Sequence, residues 1–433
     1  MDLLTVNDKE SAYPPSYYAD AAAHLDRFPA AAGDLDCDVC VVGAGFTGLS
    51  TAYHLAQRGY NVVVLEAQRV GFGASGRNGG QVSTGQRRDQ EDLEGMVGDT
   101  HARDLWDIGC QAVDLVRDLC DKDEVRTSFT PGIVHTVHRK RDHAHNTAYV
   151  AHMQDKYGYD KIRLLAPDEC RAIVNSPTYY GGTLDMGSGH VNPLELVLGL
   201  ARLAVNAGAR IFEGSKVTGI DEGDPAFVRT KDAKVKARYV VLGCNGYLGS
   251  LHKHVAARVM PINNFVVSTK PMTAETQENI IRNNYAVADS KFVVNYFRFS
   301  ADHRLLFGGT ETYSYRFPSD IAGAVRKPLA EIFPQLKDVE IDHAWGGTLG
   351  ITMNRMPHYE RIGGNILTMS GFSGSGVALG TLSGQIAAEA ISGQAERFDV
   401  MAKVPTHAFP GGPALRSPLL VLAMLWYSLR DKL

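Results

Sequence analysis

The sequence predicts an α/β (α+β) chain in which a parallel-sheet unit is interrupted by an antiparallel-sheet unit. Three observations lead there. Residues 38–67 (DVCVVGAGFTGLSTAYHLAQRGYNVVVLEA) run as an apolar strand, a glycine turn, a helix and a second strand. Near-continuous apolar strands recur at 238–243 (RYVVLG) and 366–370 (ILTMS), as strands buried on both faces of a parallel sheet require. Segments 258–269, 292–299 and 304–308 alternate like half-exposed antiparallel strands.

The remaining elements follow from periodicity. Residues 1–36 are polar and irregular, with SAYPPSYYAD expected to drape over the surface. Helices are expected at 46–58, 91–121, 192–207, 319–332 and 377–392, each with apolar positions three and four apart. Short strands are expected at 61–66, 126–138 (read as antiparallel), 209–213, 216–221 and 226–230. Two styles of segment alternate along the chain. They imply an N-terminal extension (1–36), a discontinuous nucleotide domain (37–87, 166–254 and 346–433) and a substrate domain (88–165 and 255–345).

Composition narrows the function. The 433 residues carry 44 Lys and Arg against 48 Asp and Glu, a net charge of −4, so no basic excess exists to neutralise the phosphates of a nucleic acid. No charged-then-apolar leader and no apolar run long enough to span a bilayer is seen, so a cytoplasmic location is expected. The longest apolar run, 418–429 (PLLVLAMLWYSL), is read as a packed helix, with peripheral membrane contact as the alternative. Six cysteines in a chain of this size are expected to be reduced thiols, and Cys37-x-x-Cys40 is read as strand packing. The histidine-rich piece 135–145 lacks matched acids or cysteines and is read as solvated surface, so no metal is expected.

The chemistry-bearing motif is Gly43-x-Gly45-x-x-Gly48. The first glycine permits the tight turn, the second lets backbone approach a pyrophosphate, and the third lets helix and strand pack closely. Phe46 and Thr47 open the helix, whose first N–H groups present partial positive charge to phosphate. Glu66, followed by Ala67, ends the next strand, where its carboxylate can accept from a ribose diol and would repel a 2′-phosphate. A second loop, 71–81 (GFGASGRNGGQ), offers Gly73, Ala74, Ser75, Arg77, Asn78, Gly79, Gly80 and Gln81. An NAD enzyme has no need of such a loop here, whereas FAD reaches further and needs backbone beside its ribityl chain and ring. Asn245 and Gly246 follow strand 238–243 and join the candidate set. A late bend, 371–376 (GFSGSG), precedes a helix and contributes Gly371, Ser373, Gly374, Ser375 and Gly376, placed to stabilise negative charge on a reduced flavin. These features together predict a Rossmann-like FAD-binding domain of the glutathione-reductase type.

With these motifs in view, the chain resembles the FAD-dependent amine and amino-acid oxidases of the D-amino-acid oxidase superfamily. The likeness rests on CDVCVVGAGFTGLS, VVVLEAQRVGFGASGRNGGQ, FRFSADHRLLFGG, FPQLK, AERFD and HAFPGGPALRSP, and covers nearly the whole chain. It is closest to the members that oxidise γ-glutamylated putrescine. The resemblance implies that Gly43, Gly45, Gly48 and Glu66 bind the ADP half and that 74–81 pass the flavin. It also implies that Val217 meets the adenine and that Gly374, Ser375 and Gly376 lie beside the pyrimidine ring. It implies hydride transfer from the carbon beside an amine to the flavin, imine hydrolysis, and reoxidation by oxygen or another acceptor. Two departures stand out. Ala378 replaces the lysine of the sarcosine-oxidase-like relatives, and no cysteine lies near 310 or 350, so non-covalent FAD is expected.

No triad or metal cluster marks the substrate site. Tyr296 and Arg298 on NYFRFS, Trp345 on HAWGG, and Arg355 with Met356 on NRMP are candidates. They are read either as aromatic walls and carboxylate clamps or as sheet packing and surface ion pairs. Arg88 is a further carboxylate candidate. The alternatives are oxidation of pipecolate, proline or sarcosine, a dehydrogenase passing electrons to a quinone, and a non-catalytic flavin module. A nicotinamide-dependent reductase is disfavoured by the lack of a second G-x-G-x-x-G.

Overall fold

The computed structural model describes residues 2–312 and 314–410. The first sheet has eight strands, ordered His358–Ile362, Ile366–Ser370, Ala233–Leu242, Gly33–Val42, Val62–Leu65 and Arg210–Phe212, with Gly219–Asp221 and Ala226–Arg229 attached beside Ala233–Leu242. Its centre is parallel: Val41 is level with Val64 on one side and Val241 on the other, and Val241 with Leu367. Cys37 and Cys40 lie in this sheet's core with Val63 and Leu65. The helix Phe46–Gln57 packs on the other face, against Ala378–Ile391 and Pro193–Asn206. Gly384 makes this possible, since a Cβ there would press into Ser50 and Thr51.

The second sheet has nine strands, ordered Ile341–Ile351, Met260–Thr269, Leu305–Thr312, Tyr296–Phe299, Ala286–Asp289, Thr130–Thr136, Gly182–His190 and Gln81–Val82, with Ile162–Leu165 on Gly182–His190. All pairs are antiparallel except Ala286–Asp289 with Thr130–Thr136, which run parallel, so 126–138 is only half as expected. Alternation sorts its faces. Phe297, Phe299 and Phe307 join a core of their own on the outer side. Tyr296 and Leu306 pack against the core shared with the nucleotide-side helices.

Four expectations are corrected. Gly182–His190, assigned by sequence to the nucleotide unit, lies in the second sheet. Its residues (GTLDMGSGH) are too glycine-rich to show alternation. The boundary at 346 falls inside the strand Ile341–Ile351. That strand is hydrogen-bonded to Met260–Thr269 along its length, and its end bridges to Phe372. The helical stretch 91–121 is two helices, Gln90–Val97 and Asp99–Cys120, broken at Gly98 with φ 82°. Finally, the N-terminal region does not merely drape: Tyr18 is 0% exposed, with its ring edge-on to Trp345 at 5.4 Å. Aromatic area of that size is driven into a core whatever the polarity around it.

Among the described residues no helix is long and apolar enough to cross a membrane. The apolar run 418–429 lies outside the described residues.

Candidate active site

A cavity of about 910 Å³ runs from the glycine turn of the first sheet to the bend before helix Ala378–Ile391. Its size is at the upper end of ordinary ligand pockets, as an extended dinucleotide needs. Gly43 turns the chain with φ 100°, and a Cβ on Gly48 would overlap the Gly43 carbonyl. Gly48 therefore acts as a packing residue and does not line the cavity. Gly45 is the N-cap of Phe46–Gln57 and has no side chain to satisfy the first N–H groups. Ser75 Oγ accepts from Phe46 N at 3.0 Å. Among the described residues no acceptor meets the N–H of Thr47, which lines the cavity and so leaves a donor for a phosphate. A Cβ on Gly45 would come within 2.8 Å of Ser75 Oγ, so any larger residue there would have to displace the Ser75 hydroxyl.

Glu66 closes this end. Its Oε2 accepts from Ala44 N and its Oε1 from Gln68 N, both at 2.8 Å. Burial is the main influence and pushes the carboxyl up to about 7, against the pull of those N–H bonds. Cys244 also lines the cavity, with its Sγ bonded to the Val42 carbonyl at 3.3 Å and its thiol pushed by burial up to about 12.

At the far end, the bend 371–376 is held open by three left-handed residues, Gly371, Ser373 and Gly374 (φ 75°, 53° and 107°). Asn245 Oδ1 accepts from Gly371 N at 2.8 Å, and Ser373 N donates to the Gly350 carbonyl at 3.0 Å. The bend is thereby tied to both sheets.

The structure sorts the expected cofactor residues. Gly43, Gly45, Phe46, Thr47, Glu66 and Ala67 line the cavity at one end; Gly73, Ala74, Ser75 and Asn78 along its middle; Val217, Asn245, Gly246, Ser373, Gly374 and Gly376 around the rest. Their fit suits a dinucleotide whose second half lies against the loop 73–78. Arg77, Gly79, Gly80, Gln81, Gly371 and Ser375 do not line it. Arg77 is turned into the protein: its guanidinium pairs with Asp8 at 2.9 Å, donates to the carbonyls of Phe72 and Gly346, and covers the Phe72 ring. Gly79 and Gly80 make room for Tyr296 and Arg298. Gln81 donates to the Val287 carbonyl, a link within the second sheet.

The expected substrate residues divide likewise. Arg298 is 5% exposed and donates to the carbonyls of Gly79, Val191 and Phe299 and to Tyr18 Oη, so its donors are spent on the fold. Trp345 is 1% exposed and its indole N–H donates to the Arg77 carbonyl at 2.9 Å. Met356 is wholly buried in the core. Arg88 pairs with Asp92 on the surface. Tyr296 stands half-buried over Gly79 and Gly308 with its hydroxyl on Asn264.

Arg355 sits at φ 67° in the turn after Ile341–Ile351, its guanidinium 5.6 Å from the Phe292 ring centre. Its partner is a residue missed by sequence. Arg87 Nε donates to the Ser373 carbonyl at 3.0 Å and lies beside Gly374. Burial lowers its proton affinity most, the Arg355 charge next, while Asp89 and Glu311 oppose both. Glu311 is level with Asn264, which bonds Tyr296, so it faces the same side of the sheet. Arg87 therefore lies at the bend, with the charges of Arg355, Asp89 and Glu311 within electrostatic reach. Neither arginine makes an ion pair within 4 Å among the described residues. The doublet Arg87-Arg88 was the only signal in the sequence; Arg88 pairs with Asp92, and Arg87 is the member that reaches the bend.

Comparison with known proteins agrees. The chain is 39% identical over 425 residues to gamma-glutamylputrescine oxidoreductase of Escherichia coli, covering 96% of this chain and 98% of that protein. It is 38% identical over 418 residues to the probable oxidoreductase OrdL of Rhizobium meliloti, covering 96% and 97%. The fold is that of glycine oxidase from Geobacillus kaustophilus, with TM-score 0.69, 19% identity and coverage of 83% and 95%. Residues 38–390 match the model of the DAO family (FAD dependent oxidoreductase), and the chain belongs to that family of FAD-dependent oxidoreductases.

Proposed function

We propose that this oxidoreductase acts on the amine end of a γ-glutamylated amine such as γ-glutamylputrescine, giving an imine that water hydrolyses to an aldehyde and ammonia, with hydrogen peroxide formed when oxygen is the acceptor. One observation supports it above the others: the 39% identity, over nearly the full length of both chains, to a relative named for that substrate. FAD, when bound, supplies the two-electron acceptor for the carbon beside the amine.

The chain's own residues supply binding and dryness. A γ-glutamyl head carries an α-carboxylate and an α-ammonium. Arg87 and Arg355 offer planar donor forks for the carboxylate. Glu311, on the same side, suits the ammonium. The Tyr296 ring, packed over Gly79 and Gly308, offers an apolar surface. Burial raises the Tyr296 phenol above its ordinary value, so it stays neutral and does not hold the reacting amine as a cation. A neutral amine is the form that can release hydride.

Anaerobic mixing tests this. γ-Glutamylputrescine should bleach the flavin faster than putrescine, L-pipecolate or sarcosine at equal concentration. Bleaching by any of those three with none by γ-glutamylputrescine would overturn it. Admitting air and measuring peroxide then separates oxygen from another acceptor.

A further inference from the structure

The family match begins at residue 38, yet Asp2, Leu3 and Leu4 line the cavity at the end shared with Glu66, Ala67 and Val217. Leu3 is buried there. The segment behind these residues is fastened at several points. Leu4 O accepts from Gln68 Nε2 at 2.8 Å, and Gln68 Oε1 accepts from Ser11 N at 2.5 Å. Asp2 pairs with Lys216, itself a cavity residue. Asp8 meets buried Arg77 at 2.9 Å. Asn7 donates to Tyr315 O and accepts from Phe317 N, both at 2.8 Å, and Tyr315 lines the same cavity.

We propose that residues 2–11 are part of the FAD-binding site: a strap across the ADP end of the cavity that must lift before the cofactor can leave. Its sequence, DLLTVNDKES, is mostly polar and contributes little core. What holds it is hydrogen bonds and ion pairs to both sheets' loops. Apart from the buried Asp8–Arg77 pair each is of modest net value, so residues 2–7 open locally without global unfolding. FAD retention then depends on side chains outside the glycine motifs.

The holoenzyme provides the test. FAD release is followed as the rise in flavin fluorescence after dilution into an excess of a flavin-scavenging apoprotein. Deleting residues 2–11 should speed release by well over tenfold. Asn7→Ala, which removes two hydrogen bonds at the cavity edge, should speed it about tenfold. The melting temperature of each apoprotein is measured alongside and should be unchanged for Asn7→Ala. A folded deletion variant that releases FAD at the wild-type rate overturns the proposal. If the deletion variant does not fold, Asn7→Ala decides: wild-type release overturns it. Faster release matched by a lower apoprotein melting temperature also overturns it, because it marks general loosening.

Discussion

FAD should bind about tenfold more tightly at pH 8 than at pH 6, and Glu66 should be the cause. The carboxyl is buried and sits at about 7 instead of 4.5, with burial as the first cause. Between pH 6 and pH 8 its ionised fraction climbs from about a tenth to about nine-tenths. Only the ionised form accepts both hydroxyls of a ribose diol while keeping the N–H bonds from Ala44 and Gln68. The neighbouring charge is Glu213, which raises the carboxyl further. Glu213 is held by Arg69 and by the N–H groups of Phe28 and Val70. The Cys244 thiol, at about 12, does not titrate in this range. The sign for folding is opposite. Because the folded value is raised, the stability Glu66 contributes is whole below 4.5 and is lost as pH rises through about 7, a loss of at most about 3 kcal/mol. The apoprotein should therefore melt lower at pH 8 than at pH 6, and FAD should restore more. Fluorescence titration of apoprotein with FAD across this range is the assay. Glu66→Gln should bind more weakly and without the slope, since an amide oxygen can satisfy one N–H while its NH2 opposes the other. A flat wild-type profile, or the same slope in Glu66→Gln, would refute the reasoning.

Three further outcomes are expected. Gly48→Ala should cost at least about 3 kcal/mol and abolish FAD retention, because its Cβ would overlap the Gly43 carbonyl; denaturant unfolding and flavin content measure both. Arg298→Ala should destabilise by about 3 kcal/mol or more, seen as a lower melting temperature, because it orphans the carbonyls of Gly79 and Val191 in a buried site. Arg355→Ala should raise KM for γ-glutamylputrescine by about 10- to 100-fold with little change in kcat, worth about 1.5–3 kcal/mol of charge-assisted binding, whereas putrescine kinetics should hardly move.

The residues that line the nucleotide end of the cavity could be picked out in the sequence because they are set by local structure. Gly43, Gly45 and Glu66 act within one strand–turn–helix–strand unit, and the bend at 371–376 within one strand–helix junction. The arginines were not readable, because their roles depend on partners far along the chain. Arg77 meets Asp8 and Gly346, and Arg298 meets Tyr18 and Val191. Both look like ligands in sequence and are fasteners in the fold. Arg87 and Arg355 become neighbours only when the turn after the strand Ile341–Ile351 folds over the segment leading out of Gln81–Val82. The strand Gly182–His190 escaped for another reason. Its glycines let side chains from elsewhere in the fold approach closely, Tyr159 at Gly187 and Phe129 at Gly189, and erase the side-chain alternation that would have announced its sheet.

The strand Ile341–Ile351 also bears on how the enzyme breathes. It pairs with Met260–Thr269 along its length, its Trp345 grips the Arg77 carbonyl, its Thr348 N–H donates to the Tyr247 hydroxyl, and it ends in a bridge to Phe372. Swinging one sheet away from the other would strain the contacts to Arg77, Tyr247 and Phe372 together, while the pairing with Met260–Thr269 would stay whole within its own sheet. Urea should therefore melt both sheets in a single cooperative step.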